Sequence, residues 1–108
     1  MKQLRAQHLN AHCTSSQALL LDVREQCEVD VAAIVLPGVA AKHIPMGRIP
    51  ERLDELNPAQ SVVCICHHGV RSLQVVAFLE RHGFESVYNL AGGIDAWSVE
   101  VDPTVPRY

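Results

Sequence analysis

Seven consecutive residues, Cys66-His67-His68-Gly69-Val70-Arg71-Ser72, bring a thiol, two imidazoles, a glycine, a guanidinium and a hydroxyl into one short stretch. The stretch follows an apolar run at Val62-Val63-Cys64-Ile65 and precedes a segment whose apolar residues recur at helical spacing. A cysteine placed there can act as a nucleophile, because the attacking species is the thiolate and its population is set by the pKa. The first N–H groups of a helix lack intrahelical partners, and with the preceding loop amides they form a concave nest for an anion. A sulfur at that mouth is stabilised as thiolate by the helix dipole and by nearby cations, here Arg71 with His67 and His68. Gly69 lets the backbone turn tightly and approach the sulfur. The chemistry these types and spacings predict is nucleophilic covalent catalysis at Cys66.

Strands and helices must hold that loop in place. Leu19 to Val23 and Val62 to Cys66 are continuous apolar runs, the pattern of strands covered on both faces. Ser86 to Leu90 and Val39 to Ile44 are further strands, and the first few residues supply an edge strand. Helices are predicted at Ala6 to Cys13, at Arg48 to Leu56 with Ile49, Leu53 and Leu56 on one face, and at Ser72 to His82. Gly83 follows the last of these in the C-cap position. A final short helix, Ile94 to Ser98, opens after Gly92-Gly93 and is anchored by Trp97, and the prolines 103 and 106 leave 101–108 an irregular tail. Strands alternating with helices predict an α/β fold, a mostly parallel five-stranded sheet with helices on both faces and right-handed crossovers. Ligands of open α/β sheets bind beyond the carboxyl ends of the strands, which is where Cys66 falls.

The chain has 108 residues, 48% of them hydrophobic and 19% charged, enough apolar material for one core and too much for a disordered chain. One α/β domain over 1–108 is therefore expected, with no internal repeat or linker. Nine Lys and Arg against twelve Asp and Glu give a net charge of −3 with no basic run, which argues against a nucleic-acid binder. The apolar run Ala18 to Leu21 is too short for a signal-peptide core or a membrane span, so the expectation is a soluble, cytoplasmic protein without a membrane partner. Four cysteines at 13, 27, 64 and 66 are too few for a disulfide framework and are read as thiols.

The loop resembles the active-site loop of rhodanese-domain sulfurtransferases, in the form Cys-x-x-Gly-x-Arg-Ser. Leu20-Leu21-Asp22-Val23-Arg24-Glu25, with Glu28 three residues on, is similar to the family's early Asp-Val-Arg-Glu-x-x-Glu block. Pro37-Gly38 and His43-Ile44-Pro45 resemble the segments before its middle helix, and Leu90-Ala91-Gly92-Gly93-Ile94-Asp95-Ala96-Trp97 its closing Gly-Gly-x-x-x-Trp block. One departure is visible, Ala32-Ala33-Ile34 where the family often has Gly-His-Ile.

The resemblance implies that Cys66 takes a sulfur from a donor such as thiosulfate, forming a persulfide. It then passes that sulfur to cyanide or a protein thiol, with no cofactor and no metal. The partners it implies are a small anionic sulfur donor and a protein thiol acceptor, for a monomer or homodimer. His67, His68, Gly69, Val70, Arg71 and Ser72 would bind the substrate, Arg71 either drawing in the anionic donor or bracing the loop. A low-turnover module that carries or senses sulfur for a partner protein is the alternative. A phosphatase or arsenate-reductase reading ranks lower, because four residues rather than five separate Cys66 from Arg71 and enclose a smaller pocket.

Around the loop, Cys64 shares the strand face of Cys66 and is read as a packed residue, with a resolving thiol as the alternative. Cys13 and Cys27 are read as structural or surface thiols. The spacing of Cys64, Cys66, His67 and His68 does not fit a zinc site. His8, His12, His43 and His82 are expected on the surface. Asp22, Arg24 and Glu28 are expected to form a structural ion-pair set, with Arg24 able to reach the site.

Overall fold

The computed structural model describes residues 3–108. Five parallel strands, β1 (Gln3–Leu4), β2 (Leu19–Asp22), β3 (Ala40–His43), β4 (Val62–Ile65) and β5 (Val87–Leu90), form one sheet in the order β1-β5-β4-β2-β3. Met1 and Lys2, also placed in the edge strand from sequence, lie outside the described residues. β4 pairs with β2 at Leu19 and Val62 and with β5 at Val62 and Val87. All four β4 residues are buried, as expected of a strand covered on both faces.

The period-two alternation of these strands divides the core into two layers. Leu20, Val63, Ile65 and Leu90 face α1 (Leu9–Ser16) and α4 (Gly93–Glu100), through Leu9, Cys13, Ile94 and Trp97. Leu19, Leu21, Val62 and Cys64 face α3 (Val70–Arg81), through Val75, Val76 and Leu79. The α/β architecture with helices on both faces is thus the observed one. A short helix, α2 (Gln26–Val31), was not foreseen: it buries no residue, so it leaves no apolar period to read. Its start is fixed by a capping box in which Glu25 and Glu28 each bond the other's backbone N–H.

Three helical segments differ from their expected extents. The segment 48–56 is not an α-helix but two 3-10 turns, Met46–Arg48 and Pro50–Glu55, with Arg52 off helical geometry at φ −114°. Pro50 has no N–H with which to continue the preceding turn. Ile49 and Leu56 are nonetheless buried, so the apolar face is the one the spacing indicates. α1 begins at Leu9 after a 3-10 turn over Ala6–His8. α3 begins two residues earlier than its apolar pattern suggests and ends in a Schellman motif. There Gly83, at φ +89°, donates to Glu80 O at 3.3 Å, and Phe84 N donates to Leu79 O at 3.1 Å. No described helix is long and apolar enough to cross a membrane.

Candidate active site

β4 delivers Cys66 to the carboxyl edge of the sheet with its side chain on the α3 side, in register with Val62 and Cys64. Only 1% of Cys66 is exposed, whereas Val70 is 67% exposed and His68 also faces solvent. The sulfur therefore lies at the bottom of the loop, with Val70 and His68 on its rim.

Two glycines make the turn possible. Gly69 is the N-cap of α3 at φ +93°, and a Cβ there would sit 3.2 Å from Gly92 N and 3.3 Å from Leu90 O. Gly93, at φ +62°, leaves no room for a side chain against the carbonyl oxygens of Cys66 and His67. Into that space α4 presents its first amides: Ile94 N donates to Cys66 O at 2.9 Å and Asp95 N donates to His67 O at 3.1 Å. The early carbonyls of the loop are thus held outward by α4, while its later amides turn in to the sulfur.

Gly69 N donates to Cys66 Sγ at 3.0 Å, and Ser72 Oγ lies 3.2 Å from the same sulfur. Burial on its own would push the Cys66 thiol up. The Ser72 hydroxyl and the amides of Ser72, Gly69 and Arg71 outweigh it, and the pKa lies below that of an ordinary thiol. The fully buried Ser72 hydroxyl also bonds Asn89 Oδ1 on β5. Asn89 Nδ2 in turn donates to Gly69 O at 3.1 Å and to Gln3 Oε1 at 3.0 Å. Asn89 was missed from sequence, although a polar residue inside the strand Val87–Leu90 is itself a signal, since buried amides are rarely without a purpose.

The Arg71 guanidinium makes its hydrogen bonds to Glu28 rather than to the sulfur. It holds Glu28 of α2 in a bidentate pair, Nη1 to Oε1 at 2.6 Å and Nη2 to Oε2 at 2.7 Å. Arg71 pulls the Glu28 carboxyl down to about 2 against the opposing effect of burial, helped by the Glu25 amide and Tyr108. The pair ties the end of the loop to α2, and the Arg71 amide is among the donors that lower the Cys66 pKa. The Glu28 carboxylate forms its ion pair with Arg71, while Arg24 Nη1 donates to the Glu28 carbonyl at 3.3 Å.

Arg24 is fully buried and bonds Asp22 at 2.6 and 2.9 Å and the Ala32 carbonyl at 2.7 Å. It extends to the site through Tyr108, whose hydroxyl accepts from Arg24 Nη1 at 2.9 Å and donates to Glu28 Oε2 at 2.9 Å. The Tyr108 ring stacks on His67 with centroids 3.9 Å apart and planes 9° apart, and His67 stacks on His68 at 3.9 Å. Sequence alone gave no signal for Tyr108.

The remaining thiols separate by burial. Burial, and the neighbouring Cys66, push Cys64 far above the usual thiol range, and burial pushes Cys13 up to about 11. Cys27 is exposed. Two histidines expected on the surface are half-buried: His43 Nε2 contacts Arg24 O at 2.6 Å, and His12 packs edge-on against Tyr88.

The fold and site thus combine a parallel α/β sheet with a donor-lined cysteine just past its fourth strand. The sequence model of the Rhodanese-like domain family matches residues 5–100, and the chain belongs to that family. It is 42% identical over 96 residues to the Rhodanese-like/PpiC domain-containing protein 12, chloroplastic, of Arabidopsis thaliana, covering 85% of this chain and only 31% of that relative. It is 38% identical over 84 residues to a protein of Allochromatium vinosum named Sulfurtransferase, covering 78% of this chain and 75% of that one. Among solved structures, a rhodanese-like domain protein from Staphylococcus aureus superposes with a TM-score of 0.80 at 32% identity. That match covers 100% of this chain and 99% of the other.

Proposed function

We propose that the protein is a rhodanese-type sulfurtransferase in which Cys66 is the persulfide-forming nucleophile. The observation that carries this reading is the ring of donors around one low-pKa sulfur: the amides of Gly69, Arg71 and Ser72 and the Ser72 hydroxyl. In the first half-reaction the Cys66 thiolate attacks the outer sulfur of thiosulfate. The S–S bond of the donor breaks, sulfite leaves with its electron pair, and Cys66–S–S⁻ remains. In the second, an acceptor such as cyanide attacks the outer sulfur of the persulfide, thiocyanate leaves and the Cys66 thiolate is restored. Donors that stabilise a thiolate also stabilise the persulfide anion, so both states of the cycle share one environment. His68 and Val70 at the rim are the residues the substrates meet first, with His67 stacked between His68 and Tyr108 beside them, while Gly69, Arg71 and Ser72 hold the sulfur from below.

The relative named as a sulfurtransferase supports transfer in general, and thiosulfate and cyanide are the pair used to test it. A role passing sulfur to a protein thiol uses the same persulfide with a different acceptor. Steady-state thiocyanate formation at several fixed cyanide concentrations, with thiosulfate varied, tests the cycle. Parallel double-reciprocal lines are expected for a covalent ping-pong scheme. Intersecting lines, or unchanged activity in Cys66→Ala, would overturn it.

A further inference from the structure

The family match ends at residue 100, yet the segment beyond it returns to the loop around Cys66. It is fastened along its way: Asp102 N donates to Trp97 O at 2.9 Å, Ser98 Oγ donates to Val105 O at 2.6 Å, and Val105 is buried. Arg107 Nε then bonds Asp95 Oδ1 at 2.9 Å, beside the α4 amides that hold the loop carbonyls. Tyr108 arrives at the loop, touching one end of it directly and reaching the other through Glu28. Its ring lies flat on His67, the residue after the nucleophile. Its hydroxyl bonds Glu28, which grips Arg71 at the other end. His67 Nε2 is buried without a hydrogen-bond partner among the described residues, so stacking holds its ring.

We propose that Tyr108 is a positioning residue for Cys66, clamping the two ends of the loop whose intervening amides hold the sulfur. The proposal rests on Cys66 being the reacting group and extends it to a residue outside the family match. Removing the clamp lets the amides of Gly69 and Arg71 drift from the sulfur, and small losses of alignment in such a nest weaken anion stabilisation. Tyr108→Phe keeps the ring on His67 and loses only the hydroxyl bridge from Glu28 to Arg24. Tyr108→Ala loses both.

The test is the pH dependence of Cys66 alkylation by iodoacetamide, located by peptide mass, with thermal unfolding measured alongside. In Tyr108→Ala the midpoint is expected to move up and the rate below it to fall about fivefold, with Tyr108→Phe falling about twofold. Thr104→Ala, in the same segment but bonded only within it, is expected to keep the wild-type profile. A lower melting temperature in Tyr108→Ala with an unshifted midpoint would overturn the proposal, leaving the residue a structural anchor. Faster alkylation with an unshifted midpoint would also overturn it, making Tyr108 a shield instead. Alkylation reads the thiolate directly, so its outcome stands apart from whether thiosulfate loads the protein.

Discussion

Ser72→Ala removes one hydroxyl from beneath the sulfur, and its effect follows from how that hydroxyl is shared. Ser72 Oγ lies 3.2 Å from Cys66 Sγ and also bonds Asn89 Oδ1, but it carries a single proton. With a neutral thiol the proton serves Asn89, and the S–H, a weak donor, adds little by pointing at Oγ. With a thiolate the proton turns to the sulfur. A charge-assisted bond worth about 1.5–3 kcal/mol is then gained, and a neutral one worth about 0.5–1.5 kcal/mol is given up. The net preference for thiolate is about 1–1.5 kcal/mol, which is about one pKa unit. Ser72→Ala is thus expected to raise the Cys66 midpoint by about one unit in a pH series of iodoacetamide alkylation. The thiolate fraction well below the midpoint falls about tenfold. Intrinsic nucleophilicity rises with basicity by about threefold, for a Brønsted coefficient of about 0.4–0.5. The variant should therefore react about three to four times more slowly at low pH and about three times faster at high pH, so the two profiles cross. An unshifted midpoint, or profiles that stay parallel, would refute the role given to the hydroxyl.

Other consequences are open to measurement. Gly93→Ala forces a side chain against the Cys66 and His67 carbonyls at a left-handed φ, at a cost of about 3 kcal/mol. At about 2.1 cal/mol/K of unfolding entropy per residue that lowers the melting temperature by about 13 °C, and a drop under about 4 °C would contradict the packing described. The Glu28 carboxyl is lowered to about 2 in the folded chain, from 4.5. Its contribution is therefore complete above about pH 4.5 and lost as pH falls toward about 2. The full shift would correspond to about 3.4 kcal/mol, and partial solvent access reduces it to about 1–2 kcal/mol. Urea unfolding should show the gap between wild type and Glu28→Gln narrowing by more than half between about pH 7 and pH 3. A constant gap would contradict the Glu28–Arg71 pairing.

What could be read from the sequence was local. Cys66 to Ser72 are contiguous, and the strand before them is continuously apolar, so the loop, its strand and its helix are visible in one window. α2 was not visible, because it buries nothing and its capping box opens on Glu25 where serine or threonine is usual. The 48–56 segment shows the right face with the wrong helix type, because apolar spacing does not report the missing Pro50 N–H. The direction of Arg71 and the parts played by Asn89 and Tyr108 depend on partners 43, 17 and 80 residues away. No local pattern encodes such pairings, and only the assembled sheet brings them to one loop. The stabilisation assigned from sequence to nearby cations comes first from amides and a hydroxyl, while the Arg71 side chain spends its hydrogen bonds on Glu28.

The central claim is that Cys66 alone accepts one sulfur. Intact-mass analysis of the reduced protein after incubation with thiosulfate and removal of excess donor tests it directly. The expected result is a gain of one sulfur atom that maps to Cys66, is absent in Cys66→Ala, and is discharged by cyanide. No gain on the wild-type protein, or an equal gain in Cys66→Ala at the exposed Cys27, would contradict it.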